Sequence, residues 1–566
     1  MKKLRWQILI VVLAAAAIAV LLLGRQPVVQ SILPEPVTGG VYTEGLVGAV
    51  GRLNPAFESL NPADRDLNNL LFSSLIRHDS RGIPQPDLAE SWGVSADGKT
   101  YNFTIRPEVV WHDGEPVTSD DILFTVETLR DPNSPLPEDV RALWDQVEVK
   151  QLDEKNLQFI LPEPFAPFLD YLTFKILPAH LVGHLTASEL VDAEFNLHPI
   201  GSGPYAFDHF LTEEGAITGV VLQAFDDYFP RRPYIDQLVF RYYADSNGAL
   251  DAYRQGDAMG LSMVTPEVLP EALSEPGLNL YSGRTGDFGL IFLNLDSTQA
   301  PFLQDLAVRE ALMRGLNRQK IIDRLLDGQA VLANGPVLPG TWAYYDGLEP
   351  IPYEPERAVS MLRTAGYTIP DTGGAVRQKE GQALEFELLH PDDPLYTDIA
   401  AEIQEDWAKI GVGVSTVPVP LGALVEDHLT TGDYQAALME LDAGRFPDPD
   451  PYPLWHEAQI DEGQNYSRWE NRTASEYLEQ ARVINDLNER ARLYRNFQVL
   501  FNRELPSLPL FYQVYTYGID EQVQGVRLGP VFTTGDRFQN ILDWFLLARR
   551  AADEPTGEVI TPTPTP

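Results

Sequence analysis

GVSADGKTYNFTIRP, residues 93–107, decides which kind of α/β protein this chain is. Its first eight residues spell G-x-x-x-x-G-K-[ST], the pattern of a phosphate-binding loop. Such a loop joins a buried strand to a helix whose free N–H groups face the phosphates. Here Tyr101, Phe103 and Ile105 alternate with Asn102, Thr104 and Arg106, the period of a half-buried strand, and Pro107 ends the run. Asp97-Gly98 is a hairpin dipeptide. The stretch is expected to be strand, turn and strand. The nucleotide reading, with the motors, kinases and GTPases it would bring, falls away.

Composition excludes more. The chain has 566 residues, enough for two or three domains, and its hydrophobic share of 44% suits a globular protein. A net charge of −40 opposes binding to nucleic acid or to an anionic membrane surface. Cysteine is absent, which removes disulfides, thiolate metal sites, a cysteine nucleophile and a lipid-modified cysteine.

The two ends read differently from the middle. Lys2, Lys3 and Arg5 precede the uncharged apolar run from Trp6 to Leu23, close to the minimum for a spanning helix and long for a signal core. The basic flank predicts a cytoplasmic N-terminus with everything after Arg25 exported. No A-x-A cleavage site follows, so residues 1–34 are read as an uncleaved anchor and linker in preference to a removed signal. Residues 551–566 close with TPTPTP and are expected to form a disordered tail.

Between them, helical periodicity marks 119–129, 303–326, 355–365, 397–410 and 473–504. Strand signals mark NLQFIL, QLVFRYY, LIFLNL, LEFELLH and VGVSTVPV, interleaved with the helices, so the class is α/β. Trp111-His112-Asp113-Gly114 reads as a turn feeding the first helix, with Ser119 as its cap.

No catalytic constellation emerges. Ser202 sits in PIGSGPY, yet a nucleophile elbow needs glycine at position 200, which is Ile200. His180 and His184 in HLVGH have helical spacing, but Leu181 stands where a zinc protease carries glutamate. No dinucleotide fingerprint occurs. Neither an enzyme nor a cofactor is expected.

As a set, several stretches resemble the large solute-binding proteins of ABC importers, the family of oligopeptide-, dipeptide- and nickel-binding proteins. They are LNPAF at Leu53, PDLAESWGVSADGKTYNFTIRPEVVWHDGEPVTSDDILFT from Pro86, PIGSGPY at Pro199, YFPRRPYIDQLVF, and FLNLDSTQAPFLQDLAVREAL from Phe292. EPERAVSMLRTAGY, EIQEDWAKIGVGV, DPDPYPLWHEAQ, NYSRW and LPSLPLFY complete the series, which runs from Gly40 to Phe545.

The resemblance implies a periplasmic-binding-protein type II fold. Lobe I would take residues 40–60, 191–284 and 510–545, with 61–190 inserted as an extra domain, and lobe II would take 285–509. The chain would cross between lobes at GRTGDFGLIFLN and LPSLPLFY, and a solute would be enclosed by hinge closure. It also implies a peptide-like solute, ABC permease subunits as partners, and a monomer on the outer face of the cytoplasmic membrane.

Specificity departs from the peptide-binding relatives. They use an aspartate shortly before the DP of a W-x-x-D-x-x-DP-like stretch to hold the peptide's amine; here LDAGRFPDPDPYPLW places Arg445 there. An arginine repels an ammonium and attracts a carboxylate or phosphate. Dipeptide binders offer an arginine before the long helix of the second lobe, whereas this chain has His390 in LLHPDDPLY. Asp442, Asp448 or Asp450 are candidates to take over the amine. Trp455 and His456 are candidate ligand contacts or, alternatively, core and loop support. Asn294 and Asp296 are weighed in the same way between cleft and loop. A ligand-sensing receptor on the same fold, and a secreted hydrolase, are the competing functions.

Overall fold

Two long antiparallel strands, Leu278–Leu293 and Ser507–Asp520, run through the middle of the molecule. The computed structural model describes residues 36–371, 373–442 and 446–547. The proposed anchor, the Thr/Pro tail and Arg445 lie outside the described residues. Pairing of the two strands runs from Leu278 opposite Asp520 to Arg284 opposite Val514, slips, and resumes from Phe288 opposite Tyr512. Glycine is required beside the slip. A Cβ on Gly283 would lie 2.5 Å from the Gly529 carbonyl oxygen, and one on Gly289 would lie 2.6 Å from the Phe511 ring.

The core changes at that slip. Tyr515, Tyr517 and Ile519 pack into a core built from residues between 42 and 240 and the segment 515–544. On the other side, Ile291, Leu293, Leu508 and Leu510 belong to a second core, while Phe288, Leu290, Phe292 and Tyr512 belong to a third. The alternation along residues 288–293 is the two-residue period of a strand buried on both faces. Helices Leu306–Arg314, Arg318–Leu325, Pro355–Thr364 and Pro394–Lys409 cover one face, and Arg472–Val483 and Leu487–Glu504 cover the other.

The same two strands centre an eleven-stranded mixed sheet. On one side follow Ala436–Asp442, Glu385–Pro391 and Gly413–Val419; on the other, Gly260–Leu261, Val41–Val47, Gln237–Tyr243, Ala216–Ala224 and Tyr205–Glu213. Ala330–Leu332 pairs with Ser507–Asp520 off this path. A separate four-stranded sheet orders Ala89–Val94, Thr100–Ile105, Asn156–Ile160 and Glu148–Gln151.

GVSADGKT is the turn between the first two of those strands. Val94 pairs with Tyr101, the Ser95 N–H donates to Thr100 O at 2.9 Å, and Gly98 takes a φ of +73°. The Lys99 ammonium donates to Pro162 O at 2.6 Å. The residues after Lys99 form a strand, as their alternation requires.

Three local expectations need correction. The helix at Ser119–Arg130 is capped by Thr118, whose N–H donates to Asp121 at 2.8 Å, so Ser119 lies inside it. The periodic run 303–326 is two helices, divided where Gly315 closes the first and the Asn317 side chain caps the second. The run 473–504 divides likewise, with Asp486 accepting the Glu489 N–H at 2.9 Å. In both, a cap outcompetes the helical period because it satisfies N–H groups that would start a new helix unpaired. His184 falls beyond the four-residue helix Ala179–Val182, and His180 Nε2 lies 2.9 Å from Asp113 Oδ2.

PIGSGPY proves to be a packing loop. Ser202 is buried, and its Oγ accepts the Ser73 N–H at 3.2 Å. The Gly201 N–H donates to His112 Nδ1 at 3.2 Å, so Nε2 carries the proton and donates to Gly203 O at 3.0 Å. Burial pushes the His112 pKa down to about 4 and keeps the ring neutral.

Arg537 ties the chain ends of this half together. It is fully buried, with Glu44 Oε1 at 2.6 Å and Asp66 Oδ2 at 2.5 Å, and the Phe538 ring lies 4.2 Å from its guanidinium carbon. Tyr42 and Tyr517 hydroxyls donate to the other Glu44 oxygen at 2.8 and 2.9 Å. Arg537→Met leaves two buried carboxylates without their cation and is expected to destabilise the fold by about 3–5 kcal/mol. Urea unfolding of the two proteins measures the difference.

Candidate functional site

At the slip between the two long strands the backbone ladder opens, and polar side chains gather. Arg284 is exposed, and Thr285, Asp287 and Gln513 are half-buried, next to residues 288–293, which are buried throughout. The neighbouring strand Ala436–Asp442 sets Asp442 opposite Asp287 and Glu440 opposite Gly289. Glu440 and Asp442 are two residues apart and share a face. Gln513 Nε2 donates to Glu440 Oε2 at 2.5 Å, and Tyr396, from helix Pro394–Lys409, lies beside the same carboxylate.

The electrostatics follow from this crowding. Burial, then the negative charge of Asp442, raises the Asp287 pKa against the lowering effect of the Thr285 hydroxyl. Burial also raises Glu440, with Asp287 and Asp442 adding to it and Gln513 and Tyr396 opposing. A group of carboxylates held together against their own repulsion favours a cation entering among them.

The residues expected from the sequence are distributed unevenly around this junction. Asp442 is there, exposed at the strand end. Asp448 is buried and paired with Arg490 at 2.5 Å, and Asp450 lies 2.6 Å from Arg482. Trp455 is 1% exposed and packs edge-on against Phe501 at 4.8 Å, so it is core. His456 is stacked on Tyr452, with Nε2 on Glu479 at 3.0 Å and Nδ1 accepting the Ala458 N–H. His390 is 1% exposed, and its Nδ1 is 2.9 Å from Pro391 O.

Asn294 is buried and donates to Gly432 O and Tyr434 O at 2.9 and 2.8 Å. That is the loop-support alternative. It lies about 20 Å along the strand from Asp287, beside a separate polar recess of about 390 Å³ that it lines with Asp296, Glu387 and Arg468.

Asp287, Glu440, Tyr396 and Gln513 were not singled out from the sequence. Asp287 was inside GRTGDFGLIFLN, already marked as a crossing, and the two-residue spacing of Glu440 and Asp442 was available in ALMELD.

Comparison with known proteins places this geometry. The family model described as bacterial extracellular solute-binding proteins, family 5 Middle, matches residues 84–461. Di/tripeptide-binding protein 2 of Pseudomonas aeruginosa is 30% identical over 468 residues, 79% of this chain and 84% of that protein. Among solved structures, the oligopeptide-binding protein AppA of Bacillus subtilis with a nonapeptide aligns at a TM-score of 0.62 and 27% identity, covering 90% of this chain and all of that one. NikZ of Campylobacter jejuni with Ni(L-His) aligns at 0.62 and 26% identity, covering 91% of this chain and 100% of that chain. The fold is that of the solute-binding proteins it matches. The chain belongs to family 5 of the bacterial extracellular solute-binding proteins.

A carboxylate whose pKa is raised by folding costs stability at neutral pH. Its contribution is favourable below its unfolded pKa and is lost as pH rises through the folded one. Asp287→Asn is therefore expected to raise the thermal midpoint at pH 7. Because solvent still reaches the group, the gain is held to about 1 kcal/mol or less. The difference should shrink as pH falls into the range where Asp287 takes up its proton, which thermal melts of both proteins from pH 7 to pH 4 measure.

Proposed function

We propose that this protein captures a peptide or similar solute between two lobes outside the cytoplasmic membrane and delivers it to the permease of an ABC importer. Lobe I takes residues 40–60 and 191–284 with 61–190 inserted, and regains the chain after Tyr512 up to 545 instead of at 510, because Leu510, Phe511 and Tyr512 pack into the second and third cores; lobe II takes 285–512. The observation that carries the reading is the pair of strands that change cores at 284–288 and 512–515, with accessible polar groups gathered at the change. A joint of this kind lets two packed bodies rotate while each core stays intact.

In this reading the amine end of the solute meets Asp442, with Asp287 and Glu440 beside it. Arg445 meets an acidic group of the solute, the reverse of the charge that peptide-binding relatives carry at that position. Asp448 and Asp450 are already engaged by arginines and support the loop. The protein acts as a monomer without catalysis, consistent with a buried Ser202 whose oxygen is taken by a backbone N–H. Residues 1–34 tether it to the outer face of the membrane. Among the described residues, no helix is long and apolar enough to cross one.

Mass spectrometry of small molecules released from the purified, denatured exported body, followed by thermal-shift titration, tests this. A released peptide-like solute is expected to stabilise the protein, and Asp442→Asn or Arg445→Ala to weaken its binding about tenfold. A stabilising sugar or other uncharged molecule, bound equally by both variants, would contradict the peptide assignment.

A further inference from the structure

A second set of contacts joins the two bodies beside the junction, and it is buried and charged. The loop 446–450 continues from strand Ala436–Asp442 and enters between segments of the other body. Asp448 donates its backbone N–H to Asp170 Oδ2 at 2.6 Å. The other Asp170 oxygen is 2.7 Å from His78 Nε2. Asp448's own carboxylate faces Arg490 at 2.5 Å and takes the Tyr494 hydroxyl at 3.2 Å, with Asp450 adjacent in the chain. Asp170 and Asp448 are 3% and 7% exposed.

Donor and acceptor come from different bodies. Asp170 lies between Phe168 and Leu172 of the first core, whereas Tyr494, which holds Asp448, belongs to the third. The surrounding contacts also pair one body with the other. Tyr171 packs on Phe446 at 4.6 Å between ring centres, and the Trp342 N–H donates to Arg81 O at 2.9 Å. The Tyr101 hydroxyl lies 3.2 Å from Asn485 Oδ1, and a Cβ on Gly82 would lie 2.6 Å from Pro447. The polar partners on both sides are protein groups only while the bodies meet; apart, water must replace them.

We propose that Asp170 is a positioning residue for solute capture: it receives loop 446–450 when the lobes close and sets the fraction of molecules that are closed. The inference rests on the hinge reading proposed for the two strands. A charge-assisted hydrogen bond in a buried setting is among the stronger single contacts available, so its loss shifts a two-state equilibrium measurably.

The chain contains no cysteine, so Ala96→Cys and Asn488→Cys create a single reactive pair across the contact, both at exposed positions near Gly98 and Asn485. The rate of cross-linking by a short bis-maleimide reads the closed fraction, and small-angle scattering reads the radius of gyration. Asp170→Ala is expected to slow cross-linking about tenfold and to raise the radius of gyration. Asp170→Asn, which keeps an oxygen for the Asp448 N–H, should restore most of the native rate. Equal rates in the parent and Asp170→Ala proteins would overturn the role of Asp170 and leave the hinge reading standing. A slowed rate with unchanged radius of gyration would mean that the loop alone lets go, and would overturn closure on this contact. Should Asp170→Ala fail to fold, Asn485→Ala at an exposed position is expected to slow cross-linking about twofold through loss of the Tyr101 contact, and no change there would count against the proposal.

Discussion

The constraint on which the rest depends is that two strands must belong to two bodies at once. Leu278–Leu293 and Ser507–Asp520 keep pairing on both sides of the slip at 284–288, yet the side chains they bury change from one core to others across it. Pairing alone would make a rigid ribbon, and a clean break would make two domains on a tether. A slipped pair flanked by Gly283 and Gly289, each pressed closely against a neighbour, keeps the strands continuous while the cores they serve change across the slip.

Stability and function are divided accordingly. Deep in the first body, Arg537 neutralises Glu44 and Asp66, and His112 is held neutral between two backbone groups of the Gly201–Gly203 loop. Those polar groups are satisfied. At the junction, burial holds the pKa values of Asp287 and Glu440 up, helped by Asp442 for both and by Asp287 for Glu440, an arrangement that costs stability at neutral pH. Local destabilisation of this sort is common where a ligand supplies the missing partner.

Much of the fold was legible because its signals are local. The strand alternation after Lys99 outweighed the phosphate-loop match, and the family stretches carried the architecture. Two periodic runs join helices that Gly315 and Asp486 separate, and the first helix starts one residue earlier than its sequence cap suggests, because Thr118 caps it. The site was harder to read. Trp455, His456 and His390 look exposed to chemistry in the sequence, yet each is buried and turned to packing against helix and loop partners such as Phe501, Tyr452 and Glu479 that only the fold brings beside them. Asp287 and Glu440 come together only through strand register, and a single sequence does not print register. Family 5 membership narrows where to look.

The central claim is that solute is held at the crossing of the two strands. A crystal structure of the exported body with the solute released from it tests this most directly. The account predicts solute between the two bodies, with a cationic group within hydrogen-bonding reach of Asp442 or Asp287. Solute in the recess beside Asn294, at the far end of the strand, with the junction unchanged, would contradict it.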